Sequence, residues 1–354
     1  MSNQVNLAGG MSQQDYYALI RERLPDNHRK AGDVIDRVNR TYVDTKRDTI
    51  LAESFNKFVV WITSAQRHEL AGKGDAFYIT GESGAGKTDI AKHLIHTHPV
   101  LQPLQSPIGT VDPCISISLP GPATLKVLAL RMLRKAGYPM DHRKQEATLW
   151  DELPKALQEA GVLFVHIDEF QHLFHPGCDF EGLVKYIKGL MNNESWPVSF
   201  IIGGMPSVRN IIINDTQAER RNNSFTLPTI DMSKQAKVVH HIITKLAGAA
   251  SMGVTDLLAS DMPKRIAHAA NYQFGRICEV TVTAIQEAAL AGDAVLARKH
   301  FAQAYVEHSD ARGRNEMNPF LSDQWAKLKP GYFILKPDSK KKKDEEDYDE
   351  YEGD

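Results

Sequence analysis

The stretch Gly81-Glu82-Ser83-Gly84-Ala85-Gly86-Lys87-Thr88 constrains this chain more than any other part of it. It fits G-x-x-x-x-G-K-[ST], with the apolar run Ala76–Thr80 before it and a helical pattern after it. Each residue type has a physical reason. Glycines let successive backbone N–H groups converge on phosphate oxygens with no Cβ in the way. The start of a helix adds a partial positive charge. A lysine at position 87 reaches β- and γ-phosphates, and the Thr88 hydroxyl ligates Mg2+. The nucleotide-contacting set is therefore Gly81, Glu82, Ser83, Gly84, Ala85, Gly86, Lys87 and Thr88, with Asp89 next along the helix. Chance alone produces such a match in roughly one chain of this length per hundred. The correct flanking pattern lowers that further.

A phosphate loop needs a parallel sheet, and the rest of the chain supplies one. Short apolar runs at Ala76–Thr80, Cys114–Leu119, Val162–Ile167, Val198–Gly203 and Phe225–Leu227 read as strands. Between them, Lys87–His96, Ala123–Ala136, Ala147–Ala160, Glu181–Met191 and Ser207–Ile213 read as helices. This alternation predicts an α/β fold with a parallel five-stranded sheet flanked by helices. After Asp231 only helical patterns remain: Lys234–Ala250, Pro263–Ala269, Arg276–Leu290 and Asp293–His308. They predict a small all-α domain. Upstream, helical spacing runs through Tyr16, Tyr17, Leu19, Ile20 and Leu24 until Pro25-Asp26-Asn27 stops it, and a second helix spans about 48–69. The expected division is an N-terminal helical extension over 1–40, a nucleotide-binding core over 41–232 and a helical lid over 233–308. An irregular region over 309–354 follows.

Composition excludes classes more than it selects them. There are 42 Lys+Arg against 44 Asp+Glu, for a net charge of -2. The last eleven residues hold eight acids, behind the run Lys340–Lys343, so the body is close to neutral. Low-complexity charge from about 338 onward is expected to stay disordered. With no bulk positive charge, any nucleic-acid surface must be a local patch. The first residues lack the basic and apolar regions of a signal peptide, and no run approaches the ~18 apolar residues of a membrane span. Three scattered cysteines, Cys114, Cys178 and Cys278, exclude a disulfide scaffold. A cytoplasmic protein is the expectation.

The second chemical feature is Asp168-Glu169, at the end of the apolar run Val162–Ile167. An acid at a strand tip facing a phosphate loop can hold the Mg2+ shell, and this is assigned to Asp168. The next carboxylate, Glu169, is placed to polarise a water towards the γ-phosphate. His172-Leu173-Phe174-His175-Pro176-Gly177-Cys178 follows at once. It offers metal-binding residue types but no fourth ligand and no zinc spacing, so it reads as a structural or relaying loop.

With both motifs in place, Asp168-Glu169-Phe170-Gln171-His172-Leu173 resembles the DE-x-QHL signature of TniB and TnsC-like transposition ATPases, a branch of the AAA+ proteins. The resemblance spans about 40–305 and implies a P-loop AAA+ sheet followed by a helical lid. It implies ATP as substrate, Mg2+ as cofactor and ATP-dependent homo-oligomerisation in a ring or filament. Implied partners are double-stranded DNA, a transposase and a target-selection protein. Arg220, with Arg221 beside it, falls where the family places an arginine finger. Arg276 matches the lid-helix arginine called sensor 2. Tyr42-Val43 resembles the segment that cradles adenine. One departure stands out. Where the family has Gly-Thr or Gly-Asn sensing the γ-phosphate, this chain has Gly203-Gly204. Hydrolysis is then slow, or another residue substitutes.

The resemblance also places a DNA-facing surface after the second strand. That stretch contains Thr124, Lys126, Arg131, Arg134, Lys135, Arg143 and Lys144. Thr124, Lys126, Arg143 and Lys144 are the expected phosphate contacts, suited to tracking a backbone and not to reading bases. A solvated helix face is the bland alternative. Three readings stay open: a DNA-bound regulator of transposition, a helicase-loader or initiator-type ATPase, and a signalling NTPase that acts on proteins alone.

Overall fold

The computed structural model describes residues 12–66, 74–107, 109–139, 142–175, 179–208, 223–309 and 317–331. The chain forms two compact units. One is Asp44–Pro228; the other joins Met1–Val43 with Thr229–Asp354.

The first unit is built on a parallel five-stranded sheet. Its strands are β1 (Ala76–Gly81), β4 (Cys114–Ser118), β5 (Phe164–Asp168), β6 (Ser199–Gly204) and β7 (Ser224–Leu227). Their spatial order is β4-β5-β6-β1-β7, and every pairing is parallel. The three central strands are buried along their whole length, as strands covered on both faces must be. The edge strand β4 instead alternates: Ile115 and Ile117 point inward, Ser116 and Ser118 outward. Helices fill the crossovers: α4 (Lys87–Thr97), α5 (Leu125–Lys135), α6 (Glu146–Glu159) and α7 (Phe180–Met191), with α3 (Lys46–Gln66) preceding β1. Leu128, Leu133, Leu153 and Leu157 of α5 and α6 are buried against Val165, Ile167 and Ile202 of the sheet. On the opposite face Phe55 and Phe58 of α3 join Phe77, Ile79, Ile90 and Phe164. Each such side chain contributes about 2 kcal/mol of apolar burial.

A short antiparallel hairpin, β2 (Leu104–Ser106) with β3 (Gly109–Val111), lies between α4 and β4. Its strands are too short and too polar to register as strands in the sequence. The helix expected over Ser207–Ile213 and the arginines Arg220 and Arg221 lie mostly or wholly outside the described residues. So does the charged tail.

The second unit is helical. Its members are α1 (Gln13–Glu22), α2 (Asp26–Asn39), α8 (Met232–Ala249), α9 (Thr255–Ala259), α10 (Met262–Ala269), α11 (Phe274–Ala291) and α12 (Arg298–Ser309). Pro25 ends the α1 segment and takes the N-cap position of α2, where a missing N–H costs nothing. Val38 of α2 is buried among Val239, Ile243, Ile277 and Ile285, so the N-terminal segment packs with helices from the other end of the chain. The last helix starts at Arg298 and not at Asp293 as the periodicity predicts. Gly253 and Val295 pair as an isolated bridge, and the Ala297 N–H donates to His300 Nδ1. Val295 is thereby tied to Gly253 ahead of the helix. Beyond α12, Arg265 pins the irregular segment by donating to the carbonyls of Pro319 at 2.9 Å and Ser322 at 2.7 Å.

Candidate functional site at the tips of β1, β5 and β6

The phosphate loop is the turn between β1 and α4. Gly84 and Gly86 have φ of 82° and 88°, in the left-handed region where only glycine is unstrained. Gly86 is the N-cap of α4, so the first free N–H groups of the helix open at the loop. Gly81 is needed for a different reason: a Cβ there would stand 3.0 Å from that of Leu227 and 3.1 Å from that of Ala85. Ser83 and Glu82 are exposed at the turn, and Asp89 lies exposed in the first turn of α4, where the helix dipole favours an acid.

Lys87 is almost completely buried, and its Nζ donates to the Glu82 carbonyl at 3.1 Å. Burial pushes its pKa down, while Glu169, Asp168 and Glu82 push it back up. An ammonium with so little water around it gains strongly from a phosphate. The loop carbonyl of Ala85 also accepts from Arg47 Nη1 at 3.3 Å. Nothing in the sequence signalled this contact from α3.

Asp168, at the tip of β5, is buried and accepts the Thr88 hydroxyl at 2.7 Å on Oδ2. Its Oδ1 accepts the Glu169 N–H at 2.9 Å. Thr88 and Asp168 are thus brought together from positions 80 residues apart. They are hard oxygen donors of the kind Mg2+ takes when phosphate oxygens and water complete its octahedron. Among the described residues, no cluster of three or more His, Cys, Asp or Glu could hold a metal alone.

Glu169 adopts φ 56° and ψ 41°, a left-handed conformation uncommon outside glycine. It leads into the 3-10 turn Phe170–Leu173, and its carboxylate accepts from Gln171 Nε2. Strained backbone of this kind concentrates at functional sites. Two residues before Asp168, His166 is buried, with Nδ1 2.7 Å from Ser116 Oγ. Burial brings its pKa down to about 4, against the pull of Asp168, so it is neutral beside the acids. The following loop, where described, is tied to the chain just ahead of α5: the His172 carbonyl accepts the Ala123 N–H at 3.1 Å, and His175 Nε2 lies 3.2 Å from the Ala123 carbonyl.

Of the other expected site residues, Tyr42, Val43 and Arg276 belong to the helical unit, and Thr124, Lys126, Arg143 and Lys144 to the sheet unit. Val43 is buried in the helical unit's core, and Tyr42 is half-buried beside it in sequence. Arg276 sits, half-buried, in the first turn of α11. In the basic stretch, Thr124 is the N-cap of α5, its hydroxyl accepting the Val127 N–H at 3.3 Å. Lys126 is half-buried and Arg143 exposed. Lys144 pairs with Glu152 at 2.5 Å, and Arg131 donates to the Ser118 carbonyl.

Residues 72–212 match the family model described as AAA domain. A comparison with curated proteins finds no match. Among solved structures, the fold is similar to the ORC1 protein of Aeropyrum pernix in complex with DNA. Identity is 16%, the TM-score is 0.54, and 78% of this chain and 69% of that one are covered. It is similar to Cdc6p from Pyrobaculum aerophilum, at 14% identity and TM-score 0.54 over 77% and 70% of the two chains. The ADP form of Aeropyrum pernix ORC2 gives 15% identity and TM-score 0.51 over 78% and 77%. At such identities the likeness is one of fold. The chain therefore has a P-loop AAA+ fold like that of the ORC and Cdc6 proteins, with a five-stranded parallel sheet, flanking helices and a helical region C-terminal to it.

Proposed function

We propose that the protein is an ATP hydrolase whose nucleotide state controls its assembly on double-stranded DNA. The observation that carries this reading is the Thr88–Asp168 hydrogen bond, with Lys87 within electrostatic reach of both Asp168 and Glu169. A phosphate-binding turn, two oxygen donors that would hold a Mg2+ shell and a base candidate then belong to one set of strand tips. Lys87 and the loop N–H groups bind the phosphates. Thr88 and Asp168 hold the Mg2+ shell; bound there, Mg2+ supplies charge neutralisation at the phosphates. Glu169 orients the attacking water and receives its proton. Arg220, contributed by a neighbouring subunit, stabilises charge in the transition state, which makes hydrolysis depend on assembly.

The finer reading is a regulator of DNA transposition that recruits or activates a transposase and disassembles on hydrolysis. It is supported by the run Asp168–Leu173. An initiator-type ATPase is the second reading, favoured by the fold likeness to the DNA-bound ORC1 protein of Aeropyrum pernix. Both require hydrolysis that duplex DNA accelerates. The test is steady-state ATP hydrolysis with and without duplex DNA, for the parent and for Arg220→Ala. A DNA-dependent rate that Arg220→Ala abolishes, with nucleotide affinity unchanged, is the expected result. A rate indifferent to DNA would leave only the protein-directed signalling role. Pull-down with a transposase, as opposed to a replicative helicase, separates the two DNA-directed readings.

A further inference from the structure

β6 lies between β5, which ends in the two acids, and β1, which leads into the phosphate loop. A side chain at its tip would stand between base and phosphate. The tip is Gly203-Gly204, paired through β1 to Ile79 and Thr80. The two glycines do not leave an open space. A Cβ on Gly203 would lie 2.9 Å from Asp168 Oδ1. A Cβ on Gly204 would lie 3.0 Å from Gln171 Oε1 and 2.8 Å from Val208 Cγ2. The room a strand-tip side chain would use is thus taken by Gln171, arriving from the 3-10 turn.

Both ends of the Gln171 amide are engaged. Its Oε1 accepts the Met205 N–H at 3.2 Å, immediately after the tip of β6. Its Nε2 donates to Glu169 Oε2. The side chain is a bridge from the backbone of β6 to one oxygen of the candidate base. A glutamate has several rotatable bonds, and freezing them costs conformational entropy. A donor pinned to backbone reduces the freedom of the carboxylate before substrate arrives. A neutral amide does so without cancelling the charge that the base needs. It occupies one oxygen and leaves the other for water.

We propose that Gln171 is the positioning residue for Glu169, standing in for the polar side chain that Gly204 lacks. The proposal rests on the reading of Glu169 as the group that acts on water, and on nothing about DNA. Gln171 acts through Glu169, which it joins to the Met205 N–H.

The test compares Gln171→Leu, Gln171→Asn, Glu169→Gln and the double variant Gln171→Leu/Glu169→Gln. Nucleotide affinity is measured with a fluorescent ADP, hydrolysis with Mg-ATP, folding by thermal denaturation, and the Met205 amide by hydrogen exchange. Gln171→Leu should lower kcat about tenfold to 100-fold, the scale of a base misplaced by about an ångström. KM and ADP affinity should change by less than about twofold, melting should be unaffected, and the Met205 amide should exchange faster. Gln171→Asn, one methylene short, should show the same pattern. In the Glu169→Gln background, Gln171→Leu should have no further effect on hydrolysis, because the bridge then has no base to hold. An unchanged or raised kcat in Gln171→Leu overturns the proposal. So do equal losses in both backgrounds, or a collapse of ADP affinity and melting, which would make Gln171 a prop for the turn. If Glu169→Gln itself hydrolyses at the parental rate, the reading of the base fails and the positioning role of Gln171 falls with it; a loss in Glu169→Gln with none in Gln171→Leu overturns the positioning role alone.

Discussion

The phosphate-loop site and the basic stretch from Thr124 to Lys144 were both read from the sequence, and the fold treats them very differently. At the strand tips polar side chains answer one another: Thr88 to Asp168 and Gln171 to Glu169. In the basic stretch several are engaged with their own surroundings. Thr124 caps α5, Arg131 holds the Ser118 carbonyl, and Lys144 is paired with Glu152. A motif defined by spacing fixes a backbone path and so predicts which groups meet. A patch defined by composition fixes no path, and its members are free to take local structural roles.

That contrast can be broken by mutation. The largest effect is expected from Lys87→Ala. The buried ammonium has one task, and a charged hydrogen bond is worth up to ~3 kcal/mol, so ADP affinity should fall about 100-fold in a fluorescence titration. Unchanged affinity would sink the loop assignment. Next is the combined change of Lys126, Arg143 and Lys144 to Ala. Duplex affinity at moderate salt should fall about tenfold for any sequence. The slope of log K against log salt should become shallower by about 0.9 per lost contact. A change of about 3 would mean that Lys144 leaves Glu152 for phosphate; about 2 would mean that the pair persists. An unchanged slope would make the stretch an ordinary solvated face. The smallest effect belongs to Thr124→Ala, where loss of the helix cap should cost about 1 kcal/mol in denaturant unfolding. If DNA affinity falls and stability does not, the hydroxyl is a phosphate contact.

The same contrast explains what the sequence could show. Gly84, Gly86, Lys87, Thr88, Asp168 and Glu169 were legible because each position demands a particular residue type. The five strands were legible because buried parallel strands are apolar throughout. Contacts that depend on topology were not. Arg47 reaches the Ala85 carbonyl from 38 residues away, and Gln171 meets Met205 across 34. Gln171 stood in the quoted run, yet only the fold shows that it fills the space above Gly204. The packing of α2 beside α8 and α11 was likewise invisible, because Val38 looks like any apolar residue on an amphipathic helix.

The central claim is that binding and hydrolysis are separate tasks of separate side chains at one site. Glu169→Gln tests it most directly when ADP affinity and single-turnover hydrolysis of Mg-ATP are measured on the same preparation. Amide replaces carboxylate at nearly constant shape, so affinity should stay within about twofold of the parent, while hydrolysis falls at least about 100-fold, the usual share of a general base. Hydrolysis at the parental rate, or loss of affinity along with it, would contradict the account.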